Sequence, residues 1–206
     1  MEGKVMIGET PTRKSLISFL LIVSVFGIVG AVCIYNVLRV YFLIPFQYYM
    51  FMSILTFVII ILFLMPLASG SNERIVFDNK YMSYFHTKGY INKFKEVIRI
   101  ILNRKEKPSI QVKTNDLQKL DLSYLGYLGF RGHTAYRLKM TFFLKNGDSF
   151  YLLPLSYGQM EKGDYEKAFS LLENQNIEVV DKYGLRPYLN KNMYDFQEYI
   201  STLNMK

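Results

Sequence analysis

Charged residues disappear from the chain twice. Residues 15–38, SLISFLLIVSVFGIVGAVCIYNVL, and residues 48–70, YYMFMSILTFVIIILFLMPLASG, contain no Asp, Glu, Lys or Arg. About 20 apolar residues cross a bilayer core as a helix, and a soluble core helix seldom excludes charge from every face over such a length. The pattern predicts two membrane-spanning helices, over residues 15–38 and 48–69. A tight turn joins them, in which Pro45 ends the helical register and tyrosines sit at the interface. A cleaved signal peptide would account for the first run alone, since Arg13 and Lys14 precede it. The second run argues against that reading.

After residue 70 the pattern becomes that of a mixed α+β domain. ERIVFDNKYMSYFHTK reads as two short strands around Asp78-Asn79. In YINKFKEVIRIILNRKEK, residues Ile91, Phe94, Ile98 and Ile101 fall at helical spacing, while the abundance of isoleucine leaves a long strand open over residues 90–102. PSIQVKTND is a short alternating strand with Ile110 and Val112 inward. LQKLDLSYL repeats leucine without a clean period and is strand or irregular.

The strongest local signal is YRLKMTFFLKNGDSFYLLPL, where Asn146-Gly147 suits a type I′ hairpin turn. That turn sets Lys145 opposite Asp148, Phe143 opposite Phe150, Phe142 opposite Tyr151 and Met140 opposite Leu153. Asp164 then caps a helix carrying Ala168, Leu171 and Leu172 on one face, IEVV is a brief strand, and Met193, Phe196, Ile200 and Leu203 stripe a closing helix that docks on its own domain.

Charge fixes the expected orientation. Lys4, Arg13 and Lys14 precede the first run, Arg39 alone lies between the runs, and nine Lys and Arg from Arg74 to Lys107 follow the second. By the positive-inside rule both termini are cytoplasmic. The expected layout is a cytoplasmic segment over residues 1–14, a transmembrane hairpin over 15–70 and a cytoplasmic α+β domain over 71–206, in a multi-pass protein of a bacterial cell membrane. Positive-inside placement also explains much of the net charge of +8, so no specific nucleic acid is expected as partner. The single cysteine, Cys33, excludes a disulfide framework within one chain.

Candidate chemistry is sparse. In LSYLGYLGFRGHTAYRLKM the glycines at 126, 129 and 132 are followed by a strand, whereas a phosphate-cradling loop needs a helix there. His86 and His133 lack the neighbours of a nucleophilic or metal site. No enzyme, cofactor or metal is expected. Aromatics beside an arginine are common interface anchors, so Tyr124, Tyr127, Phe130 and Arg131 are the candidate partner contacts. Lys93, Lys95, Arg99, Arg104 and Lys105 form a basic segment that either is solvated or lies on anionic lipid.

The two-span hairpin, followed by a β-rich domain in which KNGDSFYLLPL leads to a helix and then NIEVV, resembles the bacterial PH-like membrane proteins. The resemblance covers residues 73–180 and implies a small bent barrel with C-terminal helix that binds proteins or lipid headgroups. Three functional readings follow. The first is a non-enzymatic membrane adaptor or scaffold that presents a PH-like domain to a protein partner, within a secretion, conjugation or envelope assembly. The second is a membrane-resident immunity protein that neutralises a toxin. The third is a regulator that senses anionic lipid.

Overall fold

A computed structural model describes residues 4–8, 12–42, 45–69, 73–128, 134–153, 164–189, 191 and 193–204. The chain divides into two compact units. One joins Met1–Thr10, Ser71–His86 and Lys107–Lys206; the other joins Pro11–Gly70 and Thr87–Glu106. The boundary expected at residue 71 is thus crossed in both directions: the segment ahead of the first apolar run belongs with the β-rich unit, and residues 87–106 belong with the apolar helices.

The helical unit holds α1 (Arg13–Tyr41), α2 (Phe46–Leu64), a 3-10 turn (Met65–Ser69) and α3 (Tyr90–Ile101). The Thr12 hydroxyl caps α1 by accepting from the Ser15 N–H at 3.1 Å. Pro45 does not end α1, which stops at Tyr41; it stands at the N-cap of α2, where a residue without an N–H costs nothing. Both helices are long and apolar enough to cross a membrane. Their described side chains stay largely exposed, Leu21 and Phe26 at 64% and Phe63 at 67%. Polar side chains inside the runs turn back on the helix: Ser24 donates to Leu20 O, Ser53 to Tyr49 O and Thr56 to Met52 O. The two helices approach closely, since a Cβ on Gly27 would stand 2.8 Å from the Phe57 ring and one on Gly30 2.6 Å from Ile60 Cδ1. Small residues permit such close contact between helices.

Residues 90–101 resolve as helix, so the helical spacing decides between the two readings left open. The α3 helix packs on the 3-10 turn and on α1, burying Val97 completely. Its C-terminus closes with Asn103 at φ 52°, where the Asn103 N–H donates to Ile100 O and the Arg104 N–H to Arg99 O. This is the Schellman pattern, and asparagine is among the few side chains that tolerate its left-handed residue.

The β-rich unit packs two four-stranded sheets. The first runs in the order β1 (Val5–Ile7), β2 (Arg74–Phe77), β3 (Tyr81–Phe85) and β4 (Ile110–Lys113), antiparallel throughout. Asp78 makes the β2–β3 turn by accepting from the Lys80 and Tyr81 N–H groups. The second sheet combines β5 (Leu117–Leu128), β6 (Thr134–Leu144), β7 (Ser149–Leu152) and β8 (Glu178–Val180) in the order β7-β6-β5-β8, with β8 parallel to β5. Helices α4 (Tyr165–Glu173), α5 (Arg186–Leu189) and α6 (Met193–Asn204) complete the unit.

The core joins all of these. Phe77 of the first sheet meets Phe142 of the second at 6.4 Å between ring centroids, and Ile7, Leu120, Leu122, Met140, Phe169, Leu172, Phe196 and Ile200 are fully buried around them. Asp164 caps α4 and α6 buries Phe196 and Ile200, both as the pattern predicts.

Two expectations change. The tract LQKLDLSYL is strand throughout, and pairing with β6 continues to Leu128. A bulge between Leu117 and Lys119 shifts the register by one residue, so Leu117 and Leu120 are both buried despite their odd spacing. The hairpin register also differs: Phe142 faces Phe150, Thr141 faces Tyr151 and Met140 faces Leu152. Only Gly147 has positive φ, +90°. Its N–H donates to Leu144 O, and the Leu144 N–H donates to Asp148 O. The loop is therefore a type I turn closed by one left-handed glycine, with three connecting residues and not two.

Candidate interaction surface

Strand alternation sorts the second sheet into two faces. Leu120, Leu122, Leu138, Met140, Phe142 and Leu152 face the core. The opposite face carries a series of cations over aromatic rings: Lys119 Nζ lies 5.7 Å from the Phe143 centroid, Lys139 Nζ 5.0 Å from Tyr151, and the Arg137 guanidinium 4.9 Å from Tyr127. Each such contact contributes about 0.5–1 kcal/mol at an exposed site. Together they lay the three cations along the rings of the sheet face. Toward the far end of the β5–β6 arm Leu125 and Leu128 are exposed, Leu128 at 80%.

The candidate contacts read from sequence separate here. Tyr127 lies on the cation-bearing face. Tyr124 is on the other side of β5, half-buried, with Tyr136 at 5.8 Å and Tyr183 at 5.1 Å edge to face. Phe130 and Arg131 lie outside the described residues. Sequence reasoning missed Lys119, Arg137, Lys139, Phe143 and Tyr151. Their alternation along β5, β6 and β7 carried a signal, but the bulge and the one-residue hairpin shift concealed which residues face each other.

Tyr136 sits directly opposite Gly126, and its ring comes within 3.4 Å of where a Gly126 Cβ would be. The aromatic ring covers the gap that glycine leaves in a strand. The Gln197 side chain from α6 accepts from the Tyr136 N–H at 2.8 Å and donates to its carbonyl. An amide side chain thus stands in for a neighbouring strand along that edge, which tethers α6 to the far part of the arm.

The basic segment separates too. Lys95, Arg104 and Lys105 are exposed and Lys93 is half-exposed. Arg99 binds Glu96 and, at 3.0 Å, Glu106, and it also donates to Arg104 O at 2.8 Å. Hydrogen bonding to Glu96 is the largest cause holding its guanidinium above the usual range. Arg99 is thereby committed to closing the loop that follows α3.

Among the described residues, a cluster of titratable side chains surrounds Glu73. Its carboxylate accepts from the Tyr84 hydroxyl and lies 3.9 Å from His86 Nδ1, and the Tyr84 and His86 rings stack at 5.8 Å. Burial first, and then Glu73, push the Tyr84 hydroxyl far above the ordinary tyrosine range. Burial does the same for Tyr165, with Glu73 adding to it. The Tyr84 phenol thereby ties β3 to the residue just ahead of β2. Among the described residues no group of three or more His, Cys, Asp or Glu is placed to hold a metal ion.

Comparison of the chain with protein-family models, with curated proteins and with solved structures found no match.

Proposed function

We propose that this chain is a non-enzymatic bacterial membrane adaptor, anchored by α1 and α2 and presenting a PH-like two-sheet unit to a protein partner at the cytoplasmic face. One observation carries the reading. The apolar side chains of α1 and α2 stay exposed along both helices, whereas the two-sheet unit buries its own apolar side chains in a closed core. Water does not tolerate that much uncovered apolar surface, and hydrocarbon does.

The pairing of β1 with β2 supports the topology, because strands that share a ladder on either side of a hairpin fit a hairpin whose two ends emerge together. The lysines and arginines flanking the helices make that side the cytoplasm. Two sheets and a following helix around one core support the PH-like reading. The partner contact assigned to this unit is the face with Tyr127, Arg137, Lys139 and Tyr151, together with Leu125, which lies opposite Arg137, where rings and arginine are pre-ordered for association.

The test is purification from native membranes in mild detergent, with Tyr127→Ala/Arg137→Ala and Leu125→Asp proteins in parallel. A stoichiometric partner lost from either variant supports an adaptor; a partner that is a toxin, released from inhibition by the same variants, assigns the immunity role. A wild-type protein that purifies alone, or a partner held equally by all three proteins, overturns the assigned surface. Topology is checked with Lys182→Cys in a Cys33→Ala background, which an impermeant maleimide is expected to leave unlabelled in intact cells.

A further inference from the structure

Helix α3 exposes one stripe of its surface. Ile91, Lys95, Ile98 and Leu102 recur at helical spacing, and the three apolar members are exposed at 68%, 38% and 54%. The adjoining side is the one that packs: Val97 is fully buried, and Phe94 and Ile101 are half-buried. The remaining side holds Asn92, Glu96 and Arg99. Such division of apolar, basic and polar sides marks a helix that lies in a membrane interface.

We infer that α3 is an interfacial helix whose Ile91, Ile98 and Leu102 enter the headgroup and acyl boundary of the same bilayer that α1 and α2 cross. The inference rests on the membrane reading above and extends it to a site of lipid contact. Three observations on this one compact unit argue for lipid as the occupant. The Tyr90 hydroxyl donates to the Leu62 carbonyl, tying the start of α3 to the end of α2. A groove of about 250 Å3, lined by Leu62, Tyr90, Ile91 and Phe94, makes the apolar surface of α2 continuous with the stripe of α3 and has room for a segment of acyl chain. Lys95, exposed, places a cation within the stripe, as suits a helix whose lysine stems lie along acyl chains while their ammonium groups meet lipid phosphate.

The assignment also explains the role of Arg99. Its ion pairs with Glu96 and Glu106 keep two carboxylates on the side of α3 away from the stripe and neutralise them, so the helix does not bring negative charge to an anionic surface. Charge and apolar surface are therefore segregated around the helix.

The test uses full-length Cys33→Ala protein in phosphatidylethanolamine/phosphatidylglycerol vesicles, with single nitroxide-labelled cysteines at positions 91, 98 and 102, at position 92 on the polar side, and at position 54 in α2. Collision with oxygen and with a water-soluble nickel chelate is measured for each. Positions 91, 98 and 102 are expected to favour oxygen over the chelate severalfold relative to position 92, and position 54 more strongly still. If position 54 favours oxygen while 91, 98 and 102 match position 92, the interfacial helix is overturned and the membrane anchor stands. If position 54 favours the chelate as well, both readings fall.

Discussion

The Phe142 and Phe150 rings stack face to face across β6 and β7, 5.2 Å apart and 15° from parallel. That stack exists because the hairpin loop has three residues: one fewer would pair Phe142 with Tyr151 and turn one ring of the pair to solvent. The loop therefore needs left-handed backbone at Gly147 alone. Gly147→Ala is expected to destabilise the protein by about 1–2 kcal/mol. Asn146→Ala, losing only exposed hydrogen bonds to Asp148, is expected to cost less than about 1 kcal/mol. Urea unfolding of the detergent-solubilised protein measures both, and equal losses would restore the two-residue turn.

Gly8 follows β1 at φ +96°, and a Cβ there would stand 2.6 Å from the Glu73 carbonyl oxygen. Strain and collision act together, so Gly8→Ala is expected to cost about 1–3 kcal/mol and to loosen β1 from β2. Hydrogen exchange at Met6 and Val76, which face each other in the ladder, is the direct measurement. Unchanged protection in the variant would show that the edge strand does not depend on this turn.

Gln197 serves both backbone groups of Tyr136. Gln197→Leu keeps the side chain's size but removes both bonds from a half-buried strand edge, an expected loss of about 1–3 kcal/mol. The same change loosens the hold on α6, so limited proteolysis within that helix is expected to accelerate. A variant as stable and as resistant as the wild type would mean that water replaces the amide.

Alkaline pH probes the buried phenols. The hydroxyls of Tyr84 and Tyr165 are raised, chiefly by burial and further by Glu73, so the folded state holds both protons more tightly than the unfolded chain. That contribution is complete below the unfolded tyrosine pKa of about 10 and is lost as pH climbs beyond it. Unfolding free energy is expected to fall above about pH 10, with a slope reduced by one proton in Tyr165→Phe. Identical slopes would show that Tyr165 ionises as freely in the folded protein as in the unfolded one.

Much of this fold was legible along the chain. The absence of charge marked α1 and α2, Asp78-Asn79 and Asn146-Gly147 marked two turns, and Asp164 marked the start of α4. What remained hidden depended on partners distant in sequence. Val5, Met6 and Ile7 are too short a run to show alternation, and only pairing with β2 makes them a strand. Arg99 reads as one cation among many until a left-handed Asn103 brings Glu106 back to it. The cation-bearing face is hidden for a related reason: facing residues are set by a bulge at Leu117 and by the loop length at Gly147, and either one moves every later side chain to the other face.

The first sheet also imposes an order on biogenesis. β1 leaves the ribosome ahead of both apolar helices, and β2, its ladder partner, leaves after them. Ile7 cannot reach Ile75 until the intervening hairpin has been synthesised and has brought its two ends to one side. Until the two ends of the hairpin meet, the sheet is incomplete: β2 keeps an open edge and Ile7 is missing from the core, so the helices must be made before the β-rich unit can close.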